Sequence, residues 1–315
     1  MMKFLFQMDD PKKINISEDS TYMIIKESLN RGIECFYNDP NWVYADINHK
    51  NKIKSHIFKL FLKDNGTLTY DIKNKINVDL ENFNAIFIRQ DPPYDMKYIS
   101  NTYLLEKLKK PMVINNPSEL RNFPEKHIMM NFPDLTPSTI ISSDVEVLIK
   151  FIEKNNEVIL KPAYGNGGLG IVKVDASKKN IKNFLSKYIN QFSNNPIIAQ
   201  RFLKNYIKGD KRVILINGTV KGSVLRVPKK NSIKSNFHAG GSAVKTSLNK
   251  KEKLICQKIK NFLINKKLYF VGIDIIDGFL TEINITSPTG IQEINRLDGV
   301  NLEKSIINFV LKSLK

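Results

Sequence analysis

FVGIDIIDGFLTEINITSPT, residues 270–289, decides how this chain folds. It reads as two β-strands joined by a tight turn. Apolar residues fill most of it, yet Asp274, Glu282 and Asn284 interrupt them. Two carboxylates about 4 Å apart repel by roughly 4 kcal/mol at an effective dielectric near 20. A divalent cation removes that cost, and all-oxygen ligands favour Mg²⁺. The hairpin therefore reads as a metal platform, the plainer alternative being a solvated face on an edge hairpin.

Side chains alternate along a strand, so Glu282 and Asn284 share a face. A two-residue Asp277-Gly278 turn pairs Asp274 with Thr281, away from Glu282. A three-residue loop of Ile276, Asp277 and Gly278, with Gly278 left-handed in a G1 bulge, puts all three oxygens on one face. Asp-Gly favours the first arrangement and metal binding the second. We take the second, which requires a positive φ at Gly278.

Working outward, the chain has 315 residues, enough for two or more domains, with a globular hydrophobic content of 42%. No apolar run reaches membrane-span length, and the N-terminal MMKFLFQMDDP suits a strand better than a signal peptide. Two cysteines, Cys35 and Cys256, exclude a disulfide framework and suit a reducing cytoplasm. The net charge of +18 fits nucleic acid, small anionic substrates or plain lysine drift. The lysines are scattered rather than interleaved with aromatics, which argues against nucleic acid.

The first third reads as strand 3–8, helix 17–31 capped by Ser17 and Gly32, and strands 33–37, 85–89 and 113–115. A helix at 97–110 sits among them. Residues 40–80 give short β-leaning segments. Strands alternating with helices imply a parallel sheet whose ligands gather at the strands' carboxyl ends, where RQDPPYD (residues 89–95) lies. The texture changes near 115–123. Helix 125–132, strand 136–141, helix 143–154 and strand 158–162 lead into AYGNGGLGIVKV. Helix 179–192, strand 197–201, a hairpin turning at Asn217-Gly218, a polar loop at 229–243, helix 249–266 and helix 301–313 complete the chain.

Gly165, Asn166, Gly167 and Gly168 follow a strand and precede another. That makes a flap able to close over a nucleotide, or an ordinary glycine-rich hairpin. No Lys-Ser/Thr pair follows, so it is not a Walker loop. Lys161 ends the preceding strand and Lys126 sits early in its helix; each is a phosphate contact or a snorkelling side chain. Gln200-Arg201-Phe202-Leu203 leaves a strand, where backbone amides can read an adenine edge. Asp210 and Arg212 open the 210–226 hairpin and Arg226 closes it, far from its tip, where two guanidinium groups could flank a transferring phosphate. His127 and His238 are too isolated for a zinc site, and no GxSxG elbow is present.

Each motif is weak, but their order is informative. Lysine, lysine with a glycine flap, connector, arginines, then Asp…Glu-x-Asn on a hairpin is the ATP-grasp layout. RQDPPYD, LKPAYGNGGLG, GDKRV and above all DIIDGFLTEINITSPTG resemble bacterial glutathione synthetase, from about Phe4 to the last helix. The resemblance implies an ATP-grasp α/β fold in three parts. These are an N-terminal parallel-sheet α/β domain at 1–122, a small lid at 123–200 and a C-terminal α+β catalytic domain at 201–315. It implies ATP-dependent joining of γ-glutamylcysteine to glycine through an acyl phosphate, in a cytoplasmic homo-oligomer without nucleic-acid or membrane partners.

The resemblance also implies site roles. Asp274, Glu282 and Asn284 hold Mg²⁺ or Mn²⁺. Lys126 and Lys161 bind ATP phosphates under the flap, and residues 200–203 contact adenine. Arg212 and Arg226 stabilise the phosphoryl group. Arg89, Asn236, Ser287 and Thr289 hold substrate carboxylates, and Asp210 serves the ribose or supports its neighbours. One departure stands out: Gln200 occupies a position where many ATP-grasp enzymes carry an acid. The alternatives are another ATP-grasp carboxylate–amine ligase, of the glutamate-adding or D-alanine-joining kind, or a nucleic-acid-binding protein on a relic fold.

Overall fold

The computed structural model describes residues 1–48, 52–91, 93–124, 126–164, 167–230, 232, 235–237 and 240–315. Gly165, Asn166 and His238, singled out above, lie outside the described residues, as does Pro92 of the RQDPPYD segment.

Seventeen described strands form three sheets. In the first, β1 (Lys3–Gln7), β2 (Glu34–Asn38), β7 (Ala85–Ile88) and β8 (Met112–Ile114) run parallel in the order β2-β1-β7-β8. Their apolar residues, such as Phe4, Leu5, Phe6, Ile86 and Phe87, are buried on both faces, as parallel strands require. Helix α1 (Ser20–Asn30) starts one turn later than Ser17 suggests. Asp19 is the better cap: its carboxylate accepts the Tyr22 N–H at 2.6 Å, and left-handed Gly32 ends the helix. Helix α2 (Met96–Leu105) follows β7, and α3 (Pro117–Asn122), which periodicity misses because it is so short, follows β8.

The β-leaning segment 40–80 forms an antiparallel extension. It comprises β3 (Val43–Asp46), the long β4 (Lys52–Leu62), β5 (Leu68–Tyr70) and β6 (Ile76–Asp79). β4 pairs with β2, so the N-terminal sheet is mixed rather than wholly parallel.

The second sheet contains β9 (Thr139–Ser142), β10 (Glu157–Pro162), β11 (Val172–Asp175) and β12 (Ile197–Arg201) in the order β11-β10-β12-β9. Helices α4 (Val145–Asn155) and α5 (Ile181–Gln191) cover it and complete a separate apolar core around Leu148, Val158 and Leu185. The expected helix at 125–132 is absent. A short 3₁₀ turn, Ile128–Asn131, stands there instead, since Pro133 follows and the run is too short to nucleate an α-helix.

The third sheet holds β13 (Asp210–Ile216), β14 (Thr219–Val227), β15 (Ser242–Lys245), β16 (Phe270–Ile276) and β17 (Phe279–Asn284) in the order β15-β14-β13-β16-β17. Helix α6 (Lys250–Asn265) begins with a complete capping box of Asn249 and Glu252. Helices α7 (Ile291–Asp298), unanticipated, and α8 (Leu302–Ser313) close the chain. One continuous core joins Leu5, Ile86 and Ile88 of the first sheet to Val213, Ile273 and Ile283 of the third. The first and third sheets thus share apolar contacts that the second lacks. Among the described residues, no helix is long and apolar enough to cross a membrane.

Candidate active site

The β16–β17 hairpin corrects one expectation and keeps its consequence. Ile276 pairs with Phe279 across Asp277 and Gly278, whose φ angles are +53° and +69°. That is a two-residue type I′ turn, the geometry Asp-Gly favours, and not the three-residue loop. Unbroken alternation would then aim Asp274 at Thr281. The ladder instead slips one residue: Ile275 pairs with Leu280, but Asp274 pairs with Glu282, leaving Thr281 as the extra residue of a bulge. The Thr281 hydroxyl donates to the Asp274 carbonyl at 3.1 Å, a partner for a group beside the disrupted ladder. Gly272 opposes Asn284. Asp274, Glu282 and Asn284 therefore do share a face, through Thr281 rather than Gly278.

The neighbouring strands bring charge to that face. On β13, Asp210 and Arg212 are two residues apart and point the same way; Arg226 of β14 opposes Asp210, and Asp274 opposes Arg212. The buried Asp274 carboxylate accepts from Arg212 Nε at 2.5 Å and Nη2 at 2.9 Å, and pairs with Arg226 Nη2 at 2.8 Å. Arg226 also grips Asp210 at 2.5 and 2.7 Å. Burial alone would raise the Asp274 pKa, but the two guanidinium groups outweigh it and hold the carboxyl well below the usual range. Burial likewise opposes charge on Arg226, and Asp274 with Asp210 more than reverse that.

Lys126 Nζ lies 3.5 Å from Glu282 Oε1, held by the chain around Pro124 rather than by a helix. Lys161 has its pKa lowered by burial and by Lys126, with Glu282 pulling the other way. Lys161 Nζ donates to Gln200 Oε1 at 3.0 Å, and Gln200 Nε2 donates to Thr139 Oγ1 at 3.0 Å. The Gln200 amide thus ties Lys161 to β9 within the second sheet while it lines the cavity. The Arg201 and Phe202 N–H groups are also committed, to Ser138 O at 2.8 Å and Glu157 O at 2.9 Å.

Lys126, Lys161, Gln200, Asp210, Arg212, Arg226, Asp274, Glu282 and Asn284 line one cavity of about 760 Å³. Gly167 and Gly168, both at positive φ, border it, as do Phe202, Leu203, Asn236, Ser287 and Thr289. Arg89 is brought close but not into the lining. Its buried guanidinium donates to Thr21 Oγ1 at 3.0 Å and Pro288 O at 3.1 Å and lies over the Phe270 ring. Its Nη1 finds no partner among the described residues. Thr289 contributes its carbonyl, which accepts from Arg212 Nη1 at 3.1 Å.

Sequence reading missed Asp9 and Asp19, and did not single out Asp91 within the 89–95 segment; all three line the cavity. Asp91 N donates to Asp9 Oδ2 at 2.9 Å, and burial raises the Asp91 carboxyl. Asp91 lies in the 89–95 segment that the rule for ligands of parallel sheets places here, and Asp9, just beyond the carboxyl end of β1, could have been found by the same rule. Nothing in the sequence flags Thr281.

Glu282 and Asn284 offer oxygen donors of the kind a hard divalent cation takes, beside Asp274, whose carboxylate is held here by Arg212 and Arg226. Among the described residues, no cluster of three His, Cys, Asp or Glu side chains competes for one.

Two family models match. That for the prokaryotic glutathione synthetase N-terminal domain covers residues 2–121, and that for the prokaryotic glutathione synthetase ATP-grasp domain covers 125–299. The chain belongs to the prokaryotic glutathione synthetase family. It is 38% identical over 302 residues to the glutathione synthetase of Brucella melitensis biotype 1, covering 96% of each chain. It is 39% identical over 297 residues to that of Agrobacterium fabrum, covering 94% of this chain and 92% of the relative.

Solved structures agree on the fold, which is ATP-grasp. D-cycloserine synthetase DcsG superposes at a TM-score of 0.67 with 11% identity, covering 99% of this chain and all of its own. D-alanyl-alanine synthetase A from Vibrio cholerae superposes at 0.62 with 13% identity, covering 99% and 98%. Membership makes this chain an ATP-grasp ligase that uses ATP with a divalent metal.

Proposed function

We propose that this chain joins γ-L-glutamyl-L-cysteine to glycine at the expense of ATP, giving glutathione, ADP and phosphate. Family membership and the bipolar cavity support the reading together; the cavity carries it. Lys126, Lys161, Arg212 and Arg226 line one space together with Asp274, Glu282 and Asn284, and Gly167 and Gly168 border it.

In this reading the cysteinyl carboxylate attacks the γ-phosphorus of ATP and ADP leaves, giving an acyl phosphate. The glycine amine then attacks the acyl carbon, phosphate leaves, and the amine loses a proton. The chemistry demands positioning and charge neutralisation more than covalent help from the protein. Lys126 and Lys161 hold the nucleotide phosphates, with Gly167 and Gly168 above them and residues 200–203 against the adenine. Arg212 and Arg226 stabilise negative charge on the transferring group. Asp274, Glu282 and Asn284 hold the metal, Mg²⁺ or Mn²⁺, which when bound neutralises phosphate charge. Asn236, Ser287 and Thr289 border the substrate end, and Arg89 braces it through Pro288.

Three units, 1–122, 123–200 and 201–315, fit the three separate sheets. Two free, buried cysteines fit a reducing cytoplasm. A coupled ADP-release assay tests the function. Turnover that requires both γ-glutamylcysteine and glycine supports it; turnover with a different acceptor pair, or none with these, overturns it.

A further inference from the structure

Asn115 stands at the end of β8, in the N-terminal sheet, yet every hydrogen bond of its side chain goes to the metal-bearing hairpin. Its Nδ2 donates to Phe270 O at 2.8 Å and to Ile285 O at 2.6 Å; its Oδ1 accepts from Phe270 N at 2.9 Å. The residue is 2% exposed. Phe270 opens β16 and Ile285 directly follows β17, so one amide spans the root of both strands. It behaves as an extra peptide unit at the end of the ladder.

Only an amide of this length can do so. Both N–H groups and one oxygen lone pair are used. Aspartate, with the same shape, turns two donors into acceptors facing the buried Phe270 and Ile285 carbonyls. Alanine leaves three buried backbone groups, Phe270 N, Phe270 O and Ile285 O, without the partner Asn115 supplies.

The placement has a functional consequence. Asn284 ends β17, and Ser287 and Thr289 lie on the segment leaving it, all within four residues of Ile285. A second clamp holds the same segment: Arg89 donates to Pro288 O at 3.1 Å, and the Ser287 hydroxyl donates to Arg89 O at 3.4 Å. Both clamps come from carboxyl ends of parallel strands in the first sheet. Arg89 secures the substrate end; Asn115 secures the root.

We propose that Asn115 is a positioning residue that sets the hairpin root, and with it Asn284 and Glu282, so that the metal site has its working geometry. This rests on the metal role of Asp274, Glu282 and Asn284 given above. The N-terminal sheet is thereby a structural partner of the metal site, not only a wall for substrate.

The test is Mn²⁺ binding without turnover, by calorimetry in the presence of the non-hydrolysable analogue adenylyl imidodiphosphate. Asn115→Ala and the milder Asn115→Ser should weaken Mn²⁺ by tenfold or more, the scale on which groups orienting metal ligands act. Asn115→Asp should not rescue. The control is Asn101→Ala, which removes another buried amide, one on α2 whose bond goes to Pro40 O at 2.8 Å rather than to the hairpin. It should lower thermal stability with Mn²⁺ affinity unchanged. Wild-type Mn²⁺ affinity in the Asn115 variants, or an equal loss in Asn101→Ala, overturns the proposal. If the variants do not fold, hydrogen exchange on the wild-type enzyme decides. Mn²⁺ with the analogue should slow exchange at residues 112–116 together with the hairpin, and no change at 112–116 overturns the proposal. If wild-type enzyme binds no Mn²⁺, the metal-site reading itself fails, a result separate from any Asn115 effect. None of these readouts depends on which substrates the enzyme joins.

Discussion

Replacing Asp274 with asparagine keeps its shape and removes the charge that holds two arginines. At 2.5–2.9 Å from Arg212 and 2.8 Å from Arg226, each contact is worth about 6 kcal/mol gross at an effective dielectric near 20. Desolvation of the ions offsets most of that, and breaking one partner out of a buried pair costs about 3–5 kcal/mol net. The loss should fall unevenly. Arg226 keeps Asp210, but among the described residues Arg212 keeps only its hydrogen bond to the Thr289 carbonyl. Hydrogen exchange at core amides of β13 and β16, such as Val213 and Ile273, should therefore report an opening free energy lowered by about 3–5 kcal/mol.

Adding Arg212→Met to Asp274→Asn removes the stranded charge. The double variant should then lose at least ~1 kcal/mol less than the two single losses summed. An additive cycle, or a single variant as stable as wild type, would refute the assignment of Asp274 as the shared counter-ion. The pH dependence follows the same pairing. The folded carboxyl titrates well below its unfolded value, which is about 4. Its contribution is therefore present above pH ~4 and is lost as pH falls toward the folded value. Asp274→Asn should show a shallower acid decline in stability over pH 4 to 2.

Glu282→Ala should abolish ADP release and leave the far-UV circular dichroism unchanged; full activity would remove Glu282 from the metal site. Lys161→Met should weaken nucleotide-analogue binding roughly tenfold or more. Because burial lowers the Lys161 pKa, the unfolded chain binds the proton more readily, and wild-type stability rises with pH toward the unfolded value near 10.4. The methionine variant should lose that rise in calorimetric scans and melt no lower at neutral pH. Gly278→Ala forces a side chain into φ +69° and sets its Cβ 2.8 Å from Lys251 Cδ. Stability should drop by about 1–2 kcal/mol, and an unchanged melting curve would contradict the type I′ turn.

Legibility in the sequence followed locality. Asp277-Gly278 and Asn217-Gly218 were readable as turns because backbone preference is carried by the residues themselves. Glu282 and Asn284 sharing a face needed only strand alternation. The order of lysines, flap, arginines and carboxylates was enough to reach the ATP-grasp layout, and the resemblance of RQDPPYD, LKPAYGNGGLG, GDKRV and DIIDGFLTEINITSPTG reached the family.

What the sequence by itself determined is therefore the chemistry of the site: which oxygens, which cations, and their order along the chain. The tertiary structure decided where they point. The Thr281 bulge is a compromise between a turn that favours one register and a packed face that requires another, and no local propensity records it. Gln200 turns to Lys161 because β10 and β12 are neighbours 39 residues apart in sequence. Asn115 reaches Phe270 across 155 residues. Such contacts depend on which strands meet, and that is settled by burial of the whole core rather than by any one segment.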